Sequence, residues 1–172
     1  MKSWRLIAFV AVVVVQVLLV STMAVGQQEV LDEGEQVVLA TRPVDPRDLF
    51  RGDYVVLAYE IGSIDTRIVA WDAPGPGLEQ VVWIVLHPEG RLHHPVAVVS
   101  TPEYVDQVAI RGVVDGIHDD MVSIRYGIEE YFVPEGRGHE IEQAGTVEVV
   151  VAVADDGTPV IDHLLIEGHP WT

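Results

Sequence analysis

Thr146-Val147-Glu148-Val149-Val150-Val151-Ala152-Val153-Ala154 runs into Asp155-Asp156-Gly157-Thr158-Pro159 and re-emerges as Val160-Ile161-Asp162-His163-Leu164-Leu165-Ile166-Glu167. Two β-branched runs flank a cluster of turn formers, and Val149, Val151 and Val153 alternate as a strand with one face on a core requires. The stretch reads as a β-hairpin. The same grammar extends back through the chain. Gln36–Thr41, Tyr54–Ile61, Gln80–His87, Pro95–Ser100, Val105–Asp115 and Met121–Tyr126 are short apolar stretches bounded by Gly, Pro and Asp, making about eight strands in all. Ala73-Pro74-Gly75-Pro76-Gly77 reads as an exposed loop. His139 to Ala144, stopped by Gly145, reads as one or two helical turns. The expected fold is mainly β: an antiparallel sandwich or partly open barrel with one short helix, preceded by one N-terminal transmembrane helix.

That leading segment differs in kind from the rest. Leu6 to Val25 is 20 residues long and is interrupted only by Gln16, Ser21 and Thr22. At ~1.5 Å per residue it matches a hydrocarbon layer ~30 Å thick. Lys2 and Arg5 precede it, whereas Gln27 to Gly34 holds Glu29 and Asp32 and no basic residue. The positive-inside bias therefore puts the N-terminus in the cytoplasm and the body of the protein outside it. Ala24-Val25-Gly26 also resembles a small-residue cleavage site, so a signal peptide competes with a retained anchor. Either reading exports residues 27–172 as one domain, with residues 1–26 as anchor or signal.

Charge narrows the partners. With both Lys2 and Arg5 in the leading segment, Gln27 to Thr172 carries eight basic residues against 27 acidic ones, a net charge of −19. Such a surface repels phosphate backbones and anionic headgroups, which argues against nucleic-acid binding and against a polybasic membrane patch. The chain has no cysteine. Disulfides, thiolate metal sites and cysteine nucleophiles are thereby excluded.

The most distinctive motif is Pro43-Val44-Asp45-Pro46-Arg47-Asp48-Leu49-Phe50-Arg51-Gly52-Asp53-Tyr54-Val55-Val56-Leu57-Ala58-Tyr59. Two prolines fix φ in a turn, Gly52 supplies a joint, and a strand follows in which Leu57 and Tyr59 share a face with Tyr54 on the other. Gly52, Asp53, Tyr54, Leu57 and Tyr59 resemble the motif of the GDYXXLXY protein family, with Asp45 and Arg47 in its lead-in. A second block fits too: Tyr126-Gly127-Ile128-Glu129-Glu130-Tyr131-Phe132-Val133-Pro134-Glu135-Gly136 resembles that family's downstream segment, marking Tyr126, Glu130, Tyr131, Pro134, Glu135 and Gly136. The resemblance spans essentially the whole chain and implies a retained anchor. It implies no activity, since the family is uncharacterised, and its members are expected beside multi-pass membrane proteins.

Other constellations are weighed against plainer readings. Asp45, Arg47, Asp48, Arg51 and Asp53 form either a binding site or ion pairs bracing the turn, and bracing is preferred because Asp before Pro is ordinary turn chemistry. Glu129, Glu130 and Glu135 invite a glycosidase reading, but Glu129 and Glu130 are neighbours and point to opposite faces if extended, which disfavours a carboxylate pair. His87, His93, His94 and His118, near Asp119 and Asp120, match no ligand spacing and read as scattered loop histidines. Gly136-Arg137-Gly138 lacks the lysine and long following helix of an anion cradle. Arg51-Gly52-Asp53-Tyr54-Val55 is similar to a strand of type I signal peptidases, but those enzymes need a lysine base, and the sole lysine is Lys2 on the far side of the membrane. Ser63, Ser100 and Ser123 lack a nucleophile-elbow context.

These observations lead to an expected non-enzymatic interaction domain without cofactor, a single-pass protein of a bacterial cytoplasmic membrane with its C-terminal domain extracytoplasmic, accessory to an integral membrane partner. The competing expectation is a hydrolase or metal-binding domain assembled from loop Asp, Glu and His residues.

Overall fold

In the computed structural model, residues 3–42, 54–72, 75–102, 107–134 and 137–171 are described. A helix, α1 (Ser3–Glu33), precedes thirteen strands found among them. These are β1 (Glu35–Arg42), β2 (Tyr54–Val56), β3 (Ala58–Tyr59), β4 (Ser63–Asp65), β5 (Ala70–Trp71), β6 (Val81–Glu89), β7 (Leu92–Val99), β8 (Ala109–His118), β9 (Met121–Arg125), β10 (Glu130–Phe132), β11 (Val147–Val153), β12 (Pro159–Ile166) and β13 (His169–Pro170). A short helix, α2 (Gly138–Glu142), falls where the turn ending in Gly145 is expected.

The strands form an open six-stranded sheet, β4-β9-β8-β6-β7-β5, a five-stranded sheet, β13-β12-β11-β1-β3, and a two-stranded ribbon, β10-β2. Pairing is antiparallel throughout except for β5 beside β7. The two larger sheets share one core. Val37 and Leu39 of β1, Val149 and Val151 of β11 and Leu164 of β12 meet Val82, Ile84 and Leu86 of β6 and Ile110 and Val114 of β8. Each of these side chains contributes about 1.5–3 kcal/mol by leaving water, and together they fix the register of every strand that carries them.

Three bulges, at Val85/Leu86, Val114/Gly116 and Val150/Val151, bend strands that would otherwise be too flat to wrap one core. The decisive hairpin of β11 and β12 is present, and its turn laces the two sheets. Gly157 has φ +88°, its carbonyl accepts the Arg111 N–H at 2.8 Å, and the Trp83 indole N–H donates to the Asp156 carbonyl at 2.8 Å. A Cβ on Gly157 would fall 2.7 Å from Trp83 Nε1, so only glycine fits there.

Some expected boundaries move. Tyr54 to Ile61 is not one strand: β2 pairs with β10, β3 pairs with β1, and Glu60–Gly62 forms a 3-10 turn. The break occurs because one segment serves two partners. The strand expected at Pro95 begins at Leu92, so His93 and His94 lie on β7 rather than in a loop, and His87 lies on β6 directly opposite His94. The strand expected over Val105–Asp115 runs over Ala109–His118 among the described residues. The small strands β4 and β5 carry too few residues to show a period.

Helix α1 continues past Gly26 through Gln27-Gln28-Glu29-Val30-Leu31-Asp32-Glu33 and enters β1 after Gly34 alone. The Gly34 N–H closes the last turn on the Val30 carbonyl at 2.9 Å. These final turns pack on β11 and β12, with Val30 and Leu31 half-buried. A Cβ on Gly34 would collide with the Val30 carbonyl and lie 3.0 Å from that of Val153. The joint is thus too tight for any larger residue.

Candidate functional site

Among the described residues, those that carry the two motifs come together, and they do so as structure. Val55 and Val56 of β2 pair with Tyr131 and Glu130 of β10. One residue later the Leu57 N–H donates to the Glu129 carbonyl at 2.7 Å, after which Ala58 and Tyr59 pair with Arg42 and Thr41 of β1. The Leu57 side chain is buried, as is that of Tyr59, which satisfies the expectation that they share an inward face. Tyr59 is only 4% exposed, yet its phenol is not stranded: the hydroxyl donates to the Ile128 carbonyl at 2.8 Å.

Tyr126 answers it. Its hydroxyl donates to the Ile61 carbonyl at 2.6 Å. Gly127, at φ +81°, turns the chain, and the Glu129 carboxylate folds back to accept the Tyr126 N–H at 2.5 Å and the Gly127 N–H at 2.9 Å. That carboxylate is a turn cap, reaching back to earlier N–H groups as the glutamate of a capping box does. Burial pushes the phenols of Tyr59 and Tyr126 far above the ordinary tyrosine range, and the Glu129 charge pushes the same way. Both remain protonated donors and are unsuited to proton transfer near neutrality.

A smaller cluster extends the second motif. The Tyr131 ring meets Trp171 edge-on at 6.3 Å, the Arg137 guanidinium lies 4.6 Å from the Trp171 ring centroid, and the Trp171 indole N–H donates to Glu140 Oε2 at 2.9 Å. Arg137 and Glu140 are themselves paired at 2.9 Å. The Arg137 partnership holds the Glu140 carboxyl below its usual range. Glu130 and Pro134 are exposed. Asp45, Arg47, Gly52, Asp53, Glu135 and Gly136 lie outside the described residues, with Asp48 and Arg51, and only the backbone of Tyr54 is described. The partners that the motif reading missed, Ile61 and Ile128, act through backbone carbonyls, which carry no side-chain signal.

His87 and His94 are cross-strand neighbours on β6 and β7, and the histidines have separate contacts. His93 Nδ1 accepts the Val38 N–H at 3.1 Å, capping an amide on β1. His87 lies 3.4 Å from Gln107 Nε2, and His118 ends β8 at a hairpin where Asp119 has φ +51°. Among the described residues no group of three His, Asp or Glu side chains is arranged to hold a metal. Ser63 and Ser123 are cross-strand neighbours on β4 and β9.

Two surface crevices bear on these elements. One, of about 500 Å³, lies at the α1 joint between Glu29, Glu33, Asp155, Asp156 and Thr158. Hydrogen bonds from Thr158 hold the Asp156 carboxyl below its usual range. The other, of about 370 Å³, lies beside the motif between Arg42, Glu60, His93 and His94; there the Arg42 guanidinium donates to the Glu60 carbonyl at 2.7 Å.

Comparison with known proteins agrees with the motif reading. The family model described as GDYXXLXY protein matches residues 16–164, most of the chain. No curated protein and no solved structure matches it.

Proposed function

The chain belongs to the GDYXXLXY protein family, and from that premise we propose that it is a non-enzymatic interaction domain, held by α1 on the outer face of a bacterial cytoplasmic membrane and accessory to an integral membrane partner. The observation that carries this reading is the continuity of α1 with the β domain. The helix is strongly apolar, with a mean hydropathy of 2.7 and none of its apolar stretch buried by the rest of the chain. It then runs without a linker into β1 and packs on β11 and β12. A domain fixed in height and orientation above a bilayer suits a partner lying in that bilayer, because the ordering that association requires is already in place. An enzyme that meets diffusing substrates gains nothing from such stiffness.

The family motif supports the same view. Among its described residues, Leu57, Tyr59 and Tyr126 are buried and engaged with the backbone, whereas Glu130 and Pro134 are exposed, so recognition falls to exposed residues such as these. The test is photo-crosslinking of the full-length protein in intact cells at native expression. A specific integral membrane protein should be trapped, and a C-terminal reporter should be digested by protease added to spheroplasts. A protease-shielded reporter, or a chain that is unpartnered at native level, overturns the proposal.

A further inference from the structure

Resting on the membrane-spanning reading above, we infer that Gln16 is an intramembrane docking residue, which hydrogen-bonds a polar side chain on a transmembrane helix of the integral membrane partner. Gln16 is the only polar residue from Leu6 to Val20, and it sits about 15 Å from either end of the Leu6 to Val25 span at ~1.5 Å per residue. Its amide offers two N–H donors and a carbonyl acceptor. The side chain is exposed and has no partner among the described residues. Thr22, nearer the end of the span, behaves differently: its hydroxyl bonds the Leu19 carbonyl of its own helix at 2.8 Å. In hydrocarbon no water serves the Gln16 amide, and a glutamine is too short to reach the headgroups from mid-bilayer. Helix association in lipid supplies partners to such groups.

The occupant is a different protein rather than a second copy. Val30 and Leu31, the half-buried residues of the last two turns, mark the side of α1 on which the β domain sits. At ~100° per residue they lie roughly 40° to one side and 60° to the other of the Gln16 direction. The domain therefore overhangs the face that bears Gln16. Two parallel copies meeting through that face would drive each β domain over the other's helix, and would bring together two domains of net charge −19. A helix that ends near the membrane surface, beneath the overhang, fits without conflict.

Photoreactive residues placed at Val20, on the Gln16 face, and at Leu18, roughly 160° away, test this in the full-length protein in native membranes. The expected result is an adduct from Val20 and not from Leu18, mapping to an apolar segment of an integral membrane protein. Gln16→Leu should cut its yield roughly three- to thirtyfold, while Gln16→Asn, which keeps an amide, retains most of it. Both variants should stay in the carbonate-resistant membrane fraction. An adduct between two copies, lipid adducts alone at Val20, or a yield unchanged by Gln16→Leu overturns the inference. A third probe at exposed Ile68 separates the two readings. Capture there without capture at Val20 sinks the Gln16 inference alone, and capture at neither sinks the interaction domain as well.

Discussion

Tyr59 and Tyr126 clasp each other's chain reciprocally: each hydroxyl donates to the carbonyl two residues beyond the other tyrosine, Tyr59 to Ile128 at 2.8 Å and Tyr126 to Ile61 at 2.6 Å. Removing either hydroxyl leaves a buried carbonyl without its donor, at a cost of about 1–3 kcal/mol. Tyr59→Phe and Tyr126→Phe should each lower the urea midpoint of the full-length protein in mild detergent. Because both bonds brace one turn, the double variant should lose less than the two single losses combined. Strict additivity would show the bonds to be independent.

The same clasp governs alkaline behaviour. In the unfolded chain a tyrosine ionises near pH ~10, and in the folded protein burial holds these two protonated well above that. Their contribution to stability is whole below pH ~10 and is lost as pH rises beyond it. Titration followed by tyrosinate absorbance should show two of the five tyrosines ionising only together with unfolding.

A buried charge sets a third expectation. The Glu148 side chain is 7% exposed and meets Arg91 at 2.7 Å, while its second oxygen has no protein partner. Arg91 is about half exposed, so solvent shares in the pair and the loss on Arg91→Met is set at about 1–3 kcal/mol. Adding Glu148→Leu should recover most of that loss, since the stranded carboxylate goes with it. Failure of the second substitution to rescue the first would show that Arg91 acts through packing alone.

His93 gives a pH dependence. Burial lowers its pKa below the usual imidazole value, with His94 and His87 pushing the same way and Glu35 opposing. Above pH ~6.5 both folded and unfolded forms are neutral, and the cap on Val38 is intact. As pH falls through that value the unfolded chain takes up the proton first, so this share of stability is lost. The advantage of wild type over His93→Ala, about 1 kcal/mol at pH ~7.5, should narrow towards pH ~5. An advantage that stays constant or widens would show that His93 does not act as an acceptor.

At the helix joint, Gly34→Ala should cost about 1–3 kcal/mol. The displaced carbonyls of Val30 and Val153 are backbone and cannot step aside. Hydrogen exchange at the Gly34 amide should be faster in the variant than in the native chain.

Much of this architecture could be read from residues alone. The β11–β12 hairpin announced itself through the valine alternation and the Asp-Gly-Thr-Pro turn, and α2 through its glycine stop. What escaped depends on partners remote in sequence. Tyr54 to Ile61 is continuous in β propensity, and only β10 and β1 competing for it produce the break at Leu57. The extension of α1 was signalled, since Gln27-Gln28-Glu29 and Leu31 favour helix and Gly34 marks a stop, but the change from apolar to polar composition at Gln27 hid it. Tyr59 was legible as motif and as inward-facing; its role as a donor was not, because a carbonyl acceptor leaves no trace in sequence. A substitution at Tyr59 therefore reports on folding before it reports on partner capture.

The linkerless junction at Gly34 turns α1 into a lever. A helix that meets its domain through a hinge could lean in a bilayer without moving what it carries, whereas with this junction any lean would be passed upward whole. On the proposed topology, a change of tilt of ~20° would sweep a point about 30 Å above the membrane sideways by roughly 10 Å. Bilayer thickness and the angle imposed by a neighbouring helix thereby become variables that the exposed surface reads out as position.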